Sequence, residues 1–168
     1  KGELYRFEGI RWAGFSHPYY ANIEKNSYCR LVRMRDNAIL PPFGFGLHMG
    51  NAFVYNDKIY VTAVDDHKTI RPYLYLIVSD DLEHWSEPRK IFGGPGWRIH
   101  NSTLCPQSNG RFILGMECDH QAGLFAMFFA ESEKLMEFRY LPGALHGPGY
   151  TGGPILHSFG EYFYLFFI

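Results

Sequence analysis

A segment of about fifty residues recurs along this chain, and that recurrence limits how the chain can fold more than any other feature. Asn51-Ala-Phe-Val-Tyr-Asn-Asp-Lys-Ile-Tyr-Val-Thr-Ala63 aligns with Asn101-Ser-Thr-Leu-Cys-Pro-Gln-Ser-Asn-Gly-Arg-Phe-Ile-Leu-Gly-Met116. Both read as asparagine, a short strand, a polar turn and a second apolar strand. Ser79-Asp-Asp-Leu-Glu-His-Trp85 aligns with Ser132-Glu-Lys-Leu-Met-Glu-Phe138, keeping serine, acid, leucine and aromatic in step. A third copy opens at Gly153 and runs to Ile168.

In the clearest copy the pattern predicts strands at Ala52–Tyr55, Ile59–Val64, Tyr73–Val78 and Glu87–Phe92. Asn56-Asp57 supplies the first turn, and Asp65 to Arg71 a polar second loop. Ser79-Asp80-Asp81 opens a tight turn in which an aspartate can accept nearby backbone N–H groups, with the Trp85 ring placed to cover it. A four-stranded unit repeating at this period is a propeller blade; a sandwich or meander leaves the repeat unexplained. The expected fold is therefore all-β, a β-propeller, in one domain spanning 1–168. Blade repeats fall near 48–98, 99–147 and 148–168, about three blades in all, with a weaker copy ahead of them. A closed ring takes at least about four blades. The chain is thus expected to be an incomplete ring, or to pair with a second copy that completes the propeller.

Composition agrees. Aromatics reach 18%, with 18 glycines and 10 prolines to break the strands, and hydrophobic residues at 46% suffice for a core. No apolar run approaches the roughly 20 residues that span a bilayer as a helix. A net charge of −1 offers no basic face for nucleic acid. The cluster from Arg30 to Arg35 alternates with Leu31, Val32 and Met34, as a strand with one wet face would. Three cysteines, Cys29, Cys105 and Cys118, are an odd set at irregular spacing, which is no disulfide framework. Cys105 and Cys118 lie in apolar strands and read as buried thiols. No paired-Cys or His spacing calls for a metal. Gly93-Gly-Pro-Gly96 precedes no helix that would hold a phosphate, so it reads as a linker between blades. No metal or other cofactor is expected. No targeting segment is legible at Lys1, and the sequence assigns no compartment.

Several segments resemble known enzymes. Tyr75-Leu-Ile-Val-Ser-Asp-Asp-Leu-Glu-His-Trp-Ser-Glu-Pro88 is similar to the S-x-D-L-x-x-W turn of several propeller glycosidase families. Gly46-Leu-His-Met-Gly-Asn-Ala-Phe-Val-Tyr55, His100-Asn-Ser-Thr-Leu104, Arg111-Phe-Ile-Leu-Gly-Met-Glu117 and Tyr150-Thr-Gly-Gly-Pro-Ile-Leu156 add to it. Together, over about residues 46 to 168, they resemble the five-bladed propeller glycosidases around glycoside hydrolase family 43, in a subgroup from polysaccharide-degrading bacteria. The resemblance implies a carbohydrate substrate and a glycoside hydrolase. It also carries a departure. Where family 43 has catalytic carboxylates at the starts of innermost strands, this chain has Asn51, Asn101 and Gly152.

Glycoside hydrolysis needs two carboxyl groups, one to protonate the leaving oxygen and one to activate water or attack. Glu117 is the first candidate, because it ends the apolar strand Phe112 to Met116, where burial would favour a proton-donating carboxyl. A structural ion pair at a strand end is its alternative role. Asp65, with Asp66 beside it, falls in nearly the same place one repeat earlier and is the candidate base; an ordinary polar loop is the alternative. Asn51 and Asn101 offer amides that both donate and accept, which suits sugar hydroxyls but also suits capping a neighbouring blade. His48, His100, Asp119 and Tyr150 complete the expected substrate-binding set. His120, like Asp119, is a further candidate for sugar hydroxyls, with an ordinary loop as the alternative; Trp97, Trp12 and Tyr150 could stack on sugar rings or fill the gap between blades.

Overall fold

The computed structural model describes residues 2–11, 27–65, 72–120, 123–146 and 152–168. Thirteen strands fall into four antiparallel sheets among these residues. The first is β1 (Tyr5–Arg11), β2 (Ser27–Arg33) and β3 (Ala38–Ile39). The second runs β4 (Leu47–Tyr55), β5 (Lys58–Asp65), β6 (Tyr73–Ser79) and β7 (Arg89–Gly93). The third repeats that order with β8 (Arg98–Pro106), β9 (Phe112–His120), β10 (Gly123–Ser132) and β11 (Arg139–His146). The fourth is the hairpin β12 (Ile155–Phe159) and β13 (Tyr162–Phe166).

Local chemistry explains the boundaries. Asn56 and Asp57 both take the left-handed conformation, with φ of 50° and 58°. Asn and Asp tolerate it, and two such residues make the tight hairpin turn that suits the twist of the strands. Pro88 has no N–H to give a ladder, so β7 starts at Arg89, two residues later than the pattern predicted. The predicted Ile59–Val64 strand extends by one residue at each end, and Asp65 closes it. In β2 buried and half-buried residues alternate, with Cys29 and Leu31 inward and Arg30 outward on Glu8 at 2.7 Å.

Each outermost strand leads into the inner strand of the next sheet: β3 into β4, β7 into β8, β11 towards β12. Strands β4, β8 and β12 contact one another in succession, as innermost strands around an axis do. This is the propeller plan. The first sheet keeps the same register, since Gly46 N–H donates to Ser27 O as Gly94 N–H donates to Pro72 O. Strand β2 therefore corresponds to β6, and β1 to β5, the second place in its sheet.

The second sheet lies between two neighbours, and its strands read as continuous apolar runs because both faces are covered. Val61, Ala63 and Ile77 pack towards the first sheet with Cys29, Leu31 and Phe43. Val64, Leu74 and Leu76 pack towards the third with Leu104, Leu114 and Met116. Each fully buried Val, Leu or Ile among them contributes about 1.5–3 kcal/mol of transfer free energy.

Candidate functional site

Two bulges shape the inner strands. The β4–β5 pairing slips between His48 and Asn51, and the β8–β9 pairing slips between Ile99 and Asn101. A bulge bends its strand and re-aims a side chain, and here both fall beside the asparagines that the repeat places in step. Met49 sits in the first bulge at a φ of 51°. Gly50 beside it is obligatory, because a Cβ there would lie 2.2 Å from Thr62 O.

Below the second bulge Asn101 stands opposite Glu117 in register. Its amide Nδ2 donates to Glu117 Oε2 at 2.5 Å. Glu117 is only 1% exposed, so this carboxylate sits inside the protein with a neutral donor upon it. Two residues along the same face of β9 lies Asp119, whose Oδ2 accepts from Arg98 at 2.9 Å and lies 3.1 Å from His100 Nε2. Its Oδ1 accepts the Phe125 N–H at 2.9 Å. Burial pushes the Asp119 carboxyl up, but the Phe125 N–H, the His100 ring and Arg98 together outweigh it and hold it below the usual aspartate value. The Phe125 ring leans on His100 with centroids 4.6 Å apart. A third bulge, between Gly123 and Ala126, lifts Phe125 into that place at a φ of 55°. Between the two acids, Cys118 is fully buried, and desolvation raises its thiol well above the ordinary range, so it is no nucleophile.

The expected residues thus divide. Asn101 with Glu117, and His100 with Asp119, form two adjoining pairs on one hairpin. Asn51 occupies the matching place in the second sheet, where its register partner is Thr62 rather than a carboxylate. Asp65 lies three residues beyond Thr62 at the strand end and accepts from Tyr75 OH at 3.3 Å; burial, then the Asp65 charge, pushes that phenol up to about 12. His48 is buried opposite Val64. Ser102 Oγ donates to Thr62 Oγ1 at 3.0 Å and ties the two sheets together just below the asparagines. Tyr150, Trp12 and Asp66 lie outside the described residues. His120 and Trp97 stack on each other, centroids 4.0 Å apart, towards the gap between the second and third sheets. Arg98 and Phe125 were not among the sequence candidates. Arg98 carries a weak signal, two residues before His100 at a blade start, whereas nothing local marks Phe125.

The sheets and their order define a β-propeller. No protein-family model matches the sequence, and no curated protein matches it. Solved structures do match in fold. A GH93 α-L-arabinofuranosidase of Fusarium graminearum, in complex with arabinobiose, superposes with a TM-score of 0.61 at 17% identity, over 80% of this chain and 47% of its own. A Penicillium chrysogenum α-L-arabinanase complexed with arabinobiose gives 0.61 at 14% identity, over 78% and 45%. The NanB sialidase of Streptococcus pneumoniae gives 0.52 at 13%, over 80% and 22%. The chain spans less than half the length of these enzymes, and the likeness is one of fold.

Proposed function

We propose that this chain is part of a glycoside hydrolase acting on a poly- or oligosaccharide by carboxylate acid/base chemistry, with Glu117 as the proton donor. The observation that carries this reading is the buried Glu117 held by Asn101 at 2.5 Å, next to the inner strand of the third blade. A preorganised carboxyl in a water-poor site is what leaving-group protonation requires. The amide fixes Oε2, and Oε1 is the atom from which a proton would pass to the glycosidic oxygen. Asp119, committed to Arg98, His100 and the Phe125 N–H, acts as a positioning residue: it orients His100 and anchors the β9–β10 end over the site. Asp65, from the neighbouring blade, is the candidate base. Asn51, His48 and Tyr150 remain candidates for sugar hydroxyls. The sugar-cleaving enzymes that share the fold support a carbohydrate substrate.

The test is Glu117→Gln, measured in the assembled ring, whether one polypeptide or a second copy completes it. Turnover should fall by about 10² to 10⁴ with binding and thermal midpoint kept, since Gln preserves shape and removes the transferable proton. Equal turnover in mutant and wild type refutes the assignment.

A second reading, a carbohydrate-binding propeller without catalysis, is favoured by the near-complete burial of Glu117 and by asparagines at the inner-strand starts. Saturable glycan binding with no turnover across a glycan panel would establish it.

A further inference from the structure

The two described gaps between complete or nearly complete blades are filled differently. Between the first and second sheets, Phe43 and Trp85 stack with centroids 3.6 Å apart and planes within 8°. By the repeat, Phe43 corresponds to Phe92 and Trp85 to Phe138, but Phe92 meets Trp97 edge-on instead, with centroids 5.0 Å apart. Gly93, next along the wall, has a φ of +113°, and a Cβ there would lie 1.9 Å from Pro72 O, so that position carries no side chain. Between the second and third sheets a cavity of about 940 Å³ is left, lined among others by Tyr73, Lys90, Trp97, Phe138, Arg139 and Tyr140. This is the upper part of the size range of small-molecule sites.

Its walls are specific. Trp97 is braced on one face by His120, whose Nδ1 is 2.8 Å from Gly96 O, and meets Tyr140 and Phe92 edge-on at 5.4 and 5.0 Å. Lys90 Nζ stands 3.9 Å above the Tyr73 ring. Arg139 binds Glu131, which also takes Arg111 at 2.7 Å, so that triad keeps one positive charge. Among the described residues, Glu137 is the one carboxylate in the lining. The groove therefore joins aromatic surface to an excess of cationic donors, of which the Arg fork suits a carboxylate.

We infer that this outer wedge binds an acidic oligosaccharide, its rings against the Tyr73, Trp97 and Tyr140 wall and its uronate carboxylate taken by Lys90 and Arg139. The choice of a glycan rests on the function proposed above; the wedge itself rests on its lining. The probe is a galacturonate oligosaccharide, titrated calorimetrically into the chain, with the indole N–H signals of its three tryptophans followed by NMR. Saturable binding should shift the Trp97 signal, assigned by Trp97→Phe. Lys90→Ala with Arg139→Ala should weaken it about ten- to hundredfold. Both are exposed positions, so folding is kept and is checked by the thermal midpoint. The Trp97 signal separates the wedge from the axial site, because Trp97 lines the wedge and Glu117 does not: a chain without turnover whose Trp97 signal still shifts supports the wedge, and an active chain whose Trp97 signal stays put overturns it. The inference also fails if a neutral arabino-oligosaccharide of equal length binds as tightly, or if the double variant binds as wild type does.

Discussion

At the scale of single residues, the candidate site depends on one amide. Asn101 supplies the donor that Glu117 Oε2 accepts inside the protein. Replacing it with Ala leaves a buried carboxylate oxygen without that donor, which should cost about 1–3 kcal/mol of stability. Chemical denaturation of Asn101→Ala, beside the double variant Asn101→Ala/Glu117→Leu, measures this. The double variant should recover part of the loss, because the oxygen left without its donor is then gone. Trp85 makes a second test. It is half-buried and lies flat on Phe43. Trp85→Ala should cost about 2–4 kcal/mol, towards the low side of the range for aromatic truncation in cores because part of the ring faces solvent. A loss below about half a kcal/mol, small even for a surface position, would show that the stack carries no weight.

At the scale of elements, the turn after β6 is held by charge as well as shape. Asp81 Oδ1 accepts from Glu83 and His84 N–H at 2.9 and 2.8 Å, and Oδ2 lies 2.7 Å from His84 Nδ1. The His84 N–H and ring lead in holding the Asp81 carboxyl well below its ordinary value of 3.8, and the same Asp81 contact raises His84 above 6.5. The signs fix the window. A depressed carboxyl contributes above its unfolded value and loses that as pH falls through its folded one. A raised histidine contributes below its unfolded value and loses that as pH rises through its folded one. The turn should be tightest from about pH 4 to 6.5, between the two unfolded values. An NMR titration should place the His84 midpoint above that of a free histidine, and Asp81→Asn should return it. The matching turn after β10 has Lys134 where Asp81 stands; Ser132 Oγ accepts the Lys134 N–H at 3.0 Å, as Ser79 Oγ accepts the Asp81 N–H at 3.4 Å, but no carboxylate stands in the Asp81 place. It should show no such dependence.

At the scale of the whole molecule, the last hairpin stands apart. Phe159, Tyr162, Phe166 and Ile168 are 72%, 71%, 59% and 91% exposed, on strands that in the other blades are covered by two further strands. A contiguous apolar face of this kind beside an unpaired edge drives association. Sedimentation of the chain should show concentration-dependent self-association, and Phe166→Lys should suppress it. A chain that stays monomeric at high concentration would count against a second copy as the means of completing the ring.

The repeat made the architecture legible before any coordinates. Asn56-Asp57 has few alternatives to a tight turn, alternating apolar residues have few alternatives to strands, and a fifty-residue recurrence of such units has few alternatives to blades. The same reasoning put Asn101 at the start of one strand and Glu117 at the end of the next, within one expected site, without pairing them. What the sequence did not contain was register. A slip of one residue at a bulge decides whether Asn101 meets Glu117 or its neighbour, and that slip depends on packing between sheets, a property of no local segment. For the same reason Asp65 seemed equivalent to Glu117, whereas pairing sets Thr62 in that place. Arg98 and Phe125 enter the site only because the β8–β9–β10 ends converge. The wedge beside Gly93 likewise arises from the tertiary structure, since a gap between blades exists only once both blades are in place. Periodicity and turn chemistry act within a few residues and can be read from the sequence, while bulges, burial and cavities are set by neighbours distant along the chain.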